Sequence, residues 1–429
     1  MSAVAHGGDS TRIEILGGVT TFVSMAYIII VNPAILAAAG LPTGPSTVAT
    51  IVVAVIGTLL MGLYANRPIA VAPYMGENAF IAFGLAALGI TWQQRLGAVF
   101  VSGVIFLIIT LAGIRTWLAD AISPSMKHSF AVGIGLFLAF IGLNEIGVVA
   151  SSTVPGVPVK IGDLRSAEVL LGIAGFILIM ALLQRKVRGG IIIGIALTAI
   201  AGVLLGYGHA PRGIVALPFR GDYSLAPIAL KLDILGVLRL SFLPILLTLV
   251  VMSFLDTLGT LVGVGAAAHI DDLKKPMMVD AMACIVAGLV GTSTSGAYIE
   301  SATGIREGAR TGIAAITTAA LFAVSLFFIP LVEPLQQLRF AYAPALIAVG
   351  VLMLGSIRNI DFDDLTELVP AFATIVVMVF TYNIGNGLTA GLVLYPVIKV
   401  LAGRGRELRA GSIVLALICL SYYLFGLPH

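Results

Sequence analysis

The stretch from Gly291 to Gly312 reads GTSTSGAYIESATGIREGARTG. Apolar runs precede and follow it. Four of its first five residues carry hydroxyls, and glycine recurs with two glutamates, Glu300 and Glu307. Non-helical backbone at membrane depth is tolerated only where protein or a water-filled cavity covers it. The reading is therefore an extended lead running into a short helix inside a bundle. Such an end leaves free N–H groups and a positive dipole end. Glu300 falls in the first turn of that short helix. Glu300, Thr303, Gly304 and Glu307 share one face by their i, i+3, i+4, i+7 spacing.

The rest of the chain supplies the membrane. Of 429 residues, 59% are hydrophobic and 10% charged, with a mean hydropathy of +1.09; a soluble domain carries about 25% charged residues. Apolar spans occur at 16–38, 46–64, 76–89 (short), 95–113, 127–143, 166–183, 190–206, 240–265, 277–291, 298–308 (short), 311–333, 342–356, 366–382 and 386–402. Most can cross a bilayer as helices. A further run, Ser412–Phe425, reads as an interfacial helix or a fifteenth span. With the N-terminus inside, sixteen of the 24 lysines and arginines fall in inner segments. That bias supports cytoplasmic N- and C-termini and a register of fourteen. The net charge of +3 gives no reason to expect a nucleic-acid partner. Cys284 and Cys419 lie in apolar runs and read as core residues.

Fourteen spans divide into seven and seven. An odd number per half forces inverted topology, as in many secondary transporters. The third span of each half is short. One is entered through NRPIAVAPYMGENAF and the other through GTSTSGAYIESAT. Setting Asn78 and Ala79 against Ser301 and Ala302 also aligns Glu77 with Glu300, and places Tyr74 and Tyr298 nearby. Two interrupted short spans in corresponding places point to a binding site at the bilayer midplane. The fold expected is thus an all-α polytopic membrane protein, with half-helices in spans three and ten preceded by extended strands.

The eighth span carries the second constellation, SFLDTLGTLVGVG. Ser253, Asp256, Thr257 and Thr260 form a polar stripe at helical spacing. An intramembrane aspartate costs about 2.5–3.5 kcal/mol on insertion scales and is a functional hypothesis by default. No lysine or arginine lies well inside a span. Asp256, Glu300 and Glu77 must then be protonated, hydrated, or paired with a ligand or cation. That suits a carrier coupled to protons or sodium, not one for anions. A neutral ligand with N–H donors suits such a site, because a carboxylate accepts from two such donors. Phe80, Tyr298 and Tyr27 are the aromatic faces available to stack on it.

TTFVSMAYIIIVNPAIL in span one, ANRPIAVAPYMGENAFIAF in span three, FLDTLGTLVGV in span eight and YIESATGIREGARTG in span ten resemble the AzgA-type purine permeases, of the nucleobase–cation symporter-2 (xanthine/uracil permease) family. The likeness runs over nearly the whole chain with the motifs in order. It implies import of adenine, guanine or hypoxanthine with protons across the plasma membrane. It also implies a core domain (spans 1–4 and 8–11) moving against a gate domain (spans 5–7 and 12–14) as an elevator. The boundaries expected are 1–15 for a cytoplasmic N-terminus, 16–120 and 240–340 for the core repeats, 121–239 for the first gate repeat with its connecting segment, and 341–429 for the second gate repeat with the C-terminus. By motif match, Glu300 would bind the purine, Asp256 would sit in the eighth-helix site and Asn78 would be a polar contact. Glu77, Tyr298, Phe80, Ser301 and Thr257 complete the candidate substrate site, and Asp256, Glu300 and Glu77 the proton-coupling set.

Two departures stand out. The family's third-span motif reads APGMG, then a small or apolar residue and NAF; here Tyr74 replaces the first glycine of that motif and Glu77 is an added acid. Many members carry a second acid three residues before the span-eight aspartate, where this chain has Ser253. The number of carboxylates is kept while their places are exchanged, which leaves purine preference and coupling stoichiometry open.

The remaining signals exclude more than they add. No GxxxxGK[ST] loop supports ATP-driven transport. His6, His128, His209, His269 and His429 lie near ends or in loops, so no enzyme site, cofactor or metal centre is expected, and HIDD after span eight is not a metal pattern. A homodimer is an allowed assembly. The alternatives are a same-fold carrier for uracil, xanthine or an anion, and a channel.

Overall fold

The computed structural model describes residues 7–114, 117, 121–211, 213–268, 270 and 272–425. His6, His269 and His429 lie outside the described residues. The first apolar run is two helices, α1 (Gly7–Met25) and α2 (Ile28–Ala38), separated at Ala26 and Tyr27. Next come α3 (Thr43–Leu63) and strand β1 (Val71–Pro73). Helix α4 (Met75–Ala79) continues through a π-helical turn at Phe80–Gly84 and a last turn at Leu85–Ala87. Then follow α5 (Trp92–Leu111), α6 (Pro124–Ile146), the hairpin strands β2 (Val149–Ser151) and β3 (Val159–Ile161), α7 (Ala167–Gln184) and α8 (Gly190–Leu204). The second half holds α9 (Leu243–Ala268), α10 (Lys274–Val290), β4 (Ser295–Ala297), α11 (Ser301–Arg306), α12 (Gly312–Ser325), α13 (Ile329–Gln337), α14 (Arg339–Met353), α15 (Leu365–Phe380), α16 (Ile384–Leu401) and α17 (Ala410–Phe425).

Local chemistry sets the ends. Ser123 caps α6 by accepting from the Met126 N–H, with Pro124 in the first turn, where a missing N–H costs nothing. Gly291 ends α10 at φ 101°, a left-handed conformation that suits glycine. Among the described residues, nine helical stretches are long and apolar enough to cross a membrane. Gly190–Leu204, Leu365–Phe380 and Ala410–Leu420 are shorter apolar helices. This is a helical, multi-pass membrane fold.

The helices pack in two groups. In one, α3 lies against α12, α5 against α10, and α1 against α12 and α11. In the other, α6 packs on α14 and α15, α15 on α16, and α7 on α14 and α8. The two extended leads lie within the first group. There β1 and β4 pair antiparallel, with Val71 opposite Ala297, Ala72 opposite Gly296 and Pro73 opposite Ser295. The Tyr74 N–H donates to the Thr294 carbonyl and the Tyr298 N–H to the Ala70 carbonyl, each at 2.9 Å. These bonds satisfy backbone groups that lipid could not.

Candidate functional site

The antiparallel leads place the starts of α4 and α11 at opposite ends of the strand crossing, and α9 packs against both. The strands are equivalent, but the two glutamates are not. Glu77 is the third residue of α4, whereas Glu300 precedes α11 as its N-cap. Glu300 is half-buried, and its Oε1 accepts from the Tyr27 hydroxyl at 2.6 Å. Its neighbour Ile299 is 62% exposed. Asp256 is also half-buried and accepts no hydrogen bond from the described residues. Tyr298 lies near both carboxylates.

Glu77 is fully buried instead. Its Oε2 accepts from Ser253 Oγ at 2.8 Å, and its Oε1 has no partner among the described residues. The added acid of span three and the serine of span eight therefore touch. The exchange seen in the sequence is one of neighbours in space. Glu77 faces α9, near Asp256, and no hydrogen bond joins it to Glu300 among the described residues.

The other candidates divide by role. Asn78 is buried and donates to Asn32 Oδ1 at 2.8 Å; Asn32 in turn donates to Thr50 and Thr292. Ser301 Oγ accepts from the Ala70 N–H at 3.0 Å, and the Tyr298 hydroxyl donates to the Pro73 carbonyl at 2.5 Å. Both hold the crossing together. Phe80 is buried against Gly84 and Gly385, and Tyr27 is engaged with Glu300. The Thr257 hydroxyl is 2.8 Å from that of Tyr74. Glu300 and Asp256 are thus the two acids left with open faces, while the rest build and brace the site.

One acid was missed. Asp280, in α10, is fully buried; its Oδ2 accepts from the Tyr74 hydroxyl at 3.2 Å, and its Oδ1 has no partner among the described residues. It lies inside the apolar run 277–291, but close enough to Lys274 and Lys275 to read as a flank. No lysine, arginine or histidine forms an ion pair with Glu77, Asp256, Asp280 or Glu300 among the described residues. No group of three or more His, Cys, Asp or Glu that could hold a metal is found among them either.

A multi-pass helical bundle in which two strand-led short helices start beside carboxylates without a cationic partner has the build of a membrane transport protein. The Xan_ur_permease profile (Permease family) matches residues 12–389, so the chain belongs to the xanthine/uracil permease family. Its full-length relatives include a putative permease of Methanocaldococcus jannaschii, 44% identical over 96% of this chain and 94% of that one. They also include the guanine/hypoxanthine permease PbuO of Bacillus subtilis, 38% identical over 95% and 96%. The adenine permease AdeP of Escherichia coli is 37% identical over 98% and 95%. In fold, the chain is similar to the transmembrane domain of the cyanobacterial bicarbonate transporter BicA. That match has a TM-score of 0.65 at 17% identity and covers 89% of this chain and 97% of that one. The inward-facing murine anion transporter Slc26a9 gives 0.66 at 11%, over 93% and 70%.

Proposed function

We propose that this chain imports purine nucleobases across the plasma membrane by proton symport, with both termini cytoplasmic. The observation that carries the reading is the pair of half-buried carboxylates without a cationic partner, Glu300 and Asp256, both near Tyr298 beside the strand crossing. A neutral base with N–H donors satisfies a carboxylate there, and a proton neutralises one. An anion would meet unpaired negative charge. Relatives named for guanine, hypoxanthine and adenine, matched end to end, support the same substrate class.

In this reading α1 to α5 and α9 to α12 make the core, and α6 to α8 and α14 to α16 the gate. Counting α1 with α2 and α12 with α13 as one span each, α4 and α11 as half-spans, and leaving α17 outside the repeats gives fourteen spans in two inverted sets of seven. The core carries Glu300 and Asp256 past the gate as an elevator.

Uptake of labelled adenine, guanine and hypoxanthine into proteoliposomes, with an imposed inward proton gradient, tests the proposal. Accumulation of at least one purine that collapses with a protonophore is expected. Uptake of uracil or bicarbonate in preference to all three would reject it. Glu300→Gln should weaken purine binding about tenfold or more, the loss of one charge-assisted bond of about 1.5–3 kcal/mol. Asp256→Asn should still exchange purine but lose accumulation driven by the gradient.

A further inference from the structure

Tyr74 is where one hydroxyl reaches two helices. It precedes α4 and is 6% exposed. Its hydroxyl lies 2.8 Å from Thr257 Oγ1 on α9 and 3.2 Å from Asp280 Oδ2 on α10. Thr257 follows Asp256 in the chain. Gly296 makes room for the ring, because a Cβ there would stand 2.0 Å from the Tyr74 hydroxyl oxygen.

A tyrosine hydroxyl has one proton to donate. When Asp280 is ionised, that proton is held by the carboxylate, and Thr257 can donate to Tyr74. When Asp280 carries a proton, the Tyr74 proton is released to turn toward Thr257. The state of Asp280 thereby sets the hydrogen bond received beside Asp256. The titratable groups facing this chain of contacts are Glu77 on α4, Asp256 on α9, Cys284 on α10 and Tyr298 before α11. None is a cation, so nothing among the described residues fixes Asp280 in its ionised form by pairing.

We propose that Tyr74 is a positioning residue for proton coupling, its hydroxyl tying the protonation of Asp280 to the Asp256 wall of the site. This deepens the proton-symport reading and rests on it.

The test is purine binding to the purified full chain against pH, using the purine that it takes up best, with thermal unfolding as the check on folding. Tyr74→Phe removes a donor that favours the ionised carboxylate, so the pH midpoint of binding should move about one unit to the alkaline side. In an Asp280→Asn background the same change should move it no further. An unmoved midpoint in folded Tyr74→Phe overturns the proposal, and so does a shift that persists undiminished with Asp280→Asn. Should Tyr74→Phe not fold, Asp280→Asn alone keeps the shape of the side chain and removes its ionisation, and it should change the pH dependence of binding; an unchanged dependence overturns the proposal equally. Absence of purine uptake by the unsubstituted chain would overturn instead the reading on which this rests.

Discussion

At Glu300 a half-buried carboxylate has one protein donor, the Tyr27 hydroxyl. Tyr27→Phe keeps the ring and removes that donor. The bond braces the carboxylate and does not touch the base, so purine affinity should fall about two- to tenfold, less than for Glu300→Gln. Equal losses in the two variants, measured by equilibrium binding, would show that Tyr27 does more than orient the acid. Gly296 makes a sharper case. Its replacement by alanine sets a methyl group against Tyr74 inside the strand crossing. Overpacking of a filled interior costs about 1–3 kcal/mol. Gly296→Ala should therefore lower the thermal midpoint, and Gly296→Ala with Tyr74→Ala should recover it. Failure of the double variant to recover would break the steric explanation. Little of this was legible in the sequence. The acids announce themselves as charges in apolar runs, and Glu300 and Asp256 were found that way. Which acids keep an open face depends on contacts hundreds of residues apart in the chain, such as Tyr27 with Glu300, and no local spacing encodes those.

Elements were more legible than contacts. Each apolar run became helix near its expected place, because length and hydropathy are local properties. The π-helical turn at Phe80–Gly84 carries no such signal. The last elements hold a charged knot that also escaped the sequence reading. Asp364 caps α15 by accepting from the Thr366 N–H at 2.9 Å, and also accepts from Arg404 at 2.6 Å. The Lys399 side chain, 3% exposed, lies 3.2 Å from Glu367, 3.1 Å from Glu407 and 3.7 Å from Asp364. A cavity of about 540 Å³ adjoins these groups, away from Glu300. The hydrogen bond from Thr366, then that from Arg404, holds Asp364 below the usual carboxylate range; Arg404, then Lys399, does the same for Glu407. Groups depressed in the folded state contribute stability above their unfolded values, near pH 4, and lose it as pH falls further. Removing one partner of a buried pair costs about 3–5 kcal/mol, whereas an exposed pair contributes about 0–1. Lys399→Met should therefore lower the thermal midpoint at pH 7 more than Arg404→Ala does. The deficit of Lys399→Met should shrink below about pH 4, as the facing carboxylates protonate. A deficit independent of pH would mean that the loss is one of packing, not charge.

Across the whole molecule the two helix groups touch at separate patches. At one, Arg188, after α7, pairs with Glu307 at the end of α11, and Gly189 sits against Val23 of α1. At another, the α15–α16 turn closes on the π-helical turn that follows α4. Tyr382, held at a left-handed φ of 53°, packs edge-on against Phe83 at 5.8 Å, and against Phe137 and Phe140 of α6 at 5.3 and 5.7 Å. Asn383 Nδ2 donates to the Gly84 carbonyl at 3.5 Å, a long and weak contact. A bulky residue held in that backbone region costs about 1–3 kcal/mol and persists where its surroundings demand it. Weak contacts between the groups, with strain stored in one of them, suit a patch that opens and closes. In the proposed elevator, Phe83 would travel with the core and Tyr382 stay with the gate, so the two would separate once per cycle. Cysteines at Phe83 and Tyr382, oxidised to a disulfide in the proteoliposome, should then arrest uptake, and a reductant should restore it. Each single cysteine variant should be indifferent to oxidant. Full uptake by chains shown to be cross-linked would mean that this patch does not part during transport, and the moving boundary would have to be drawn elsewhere.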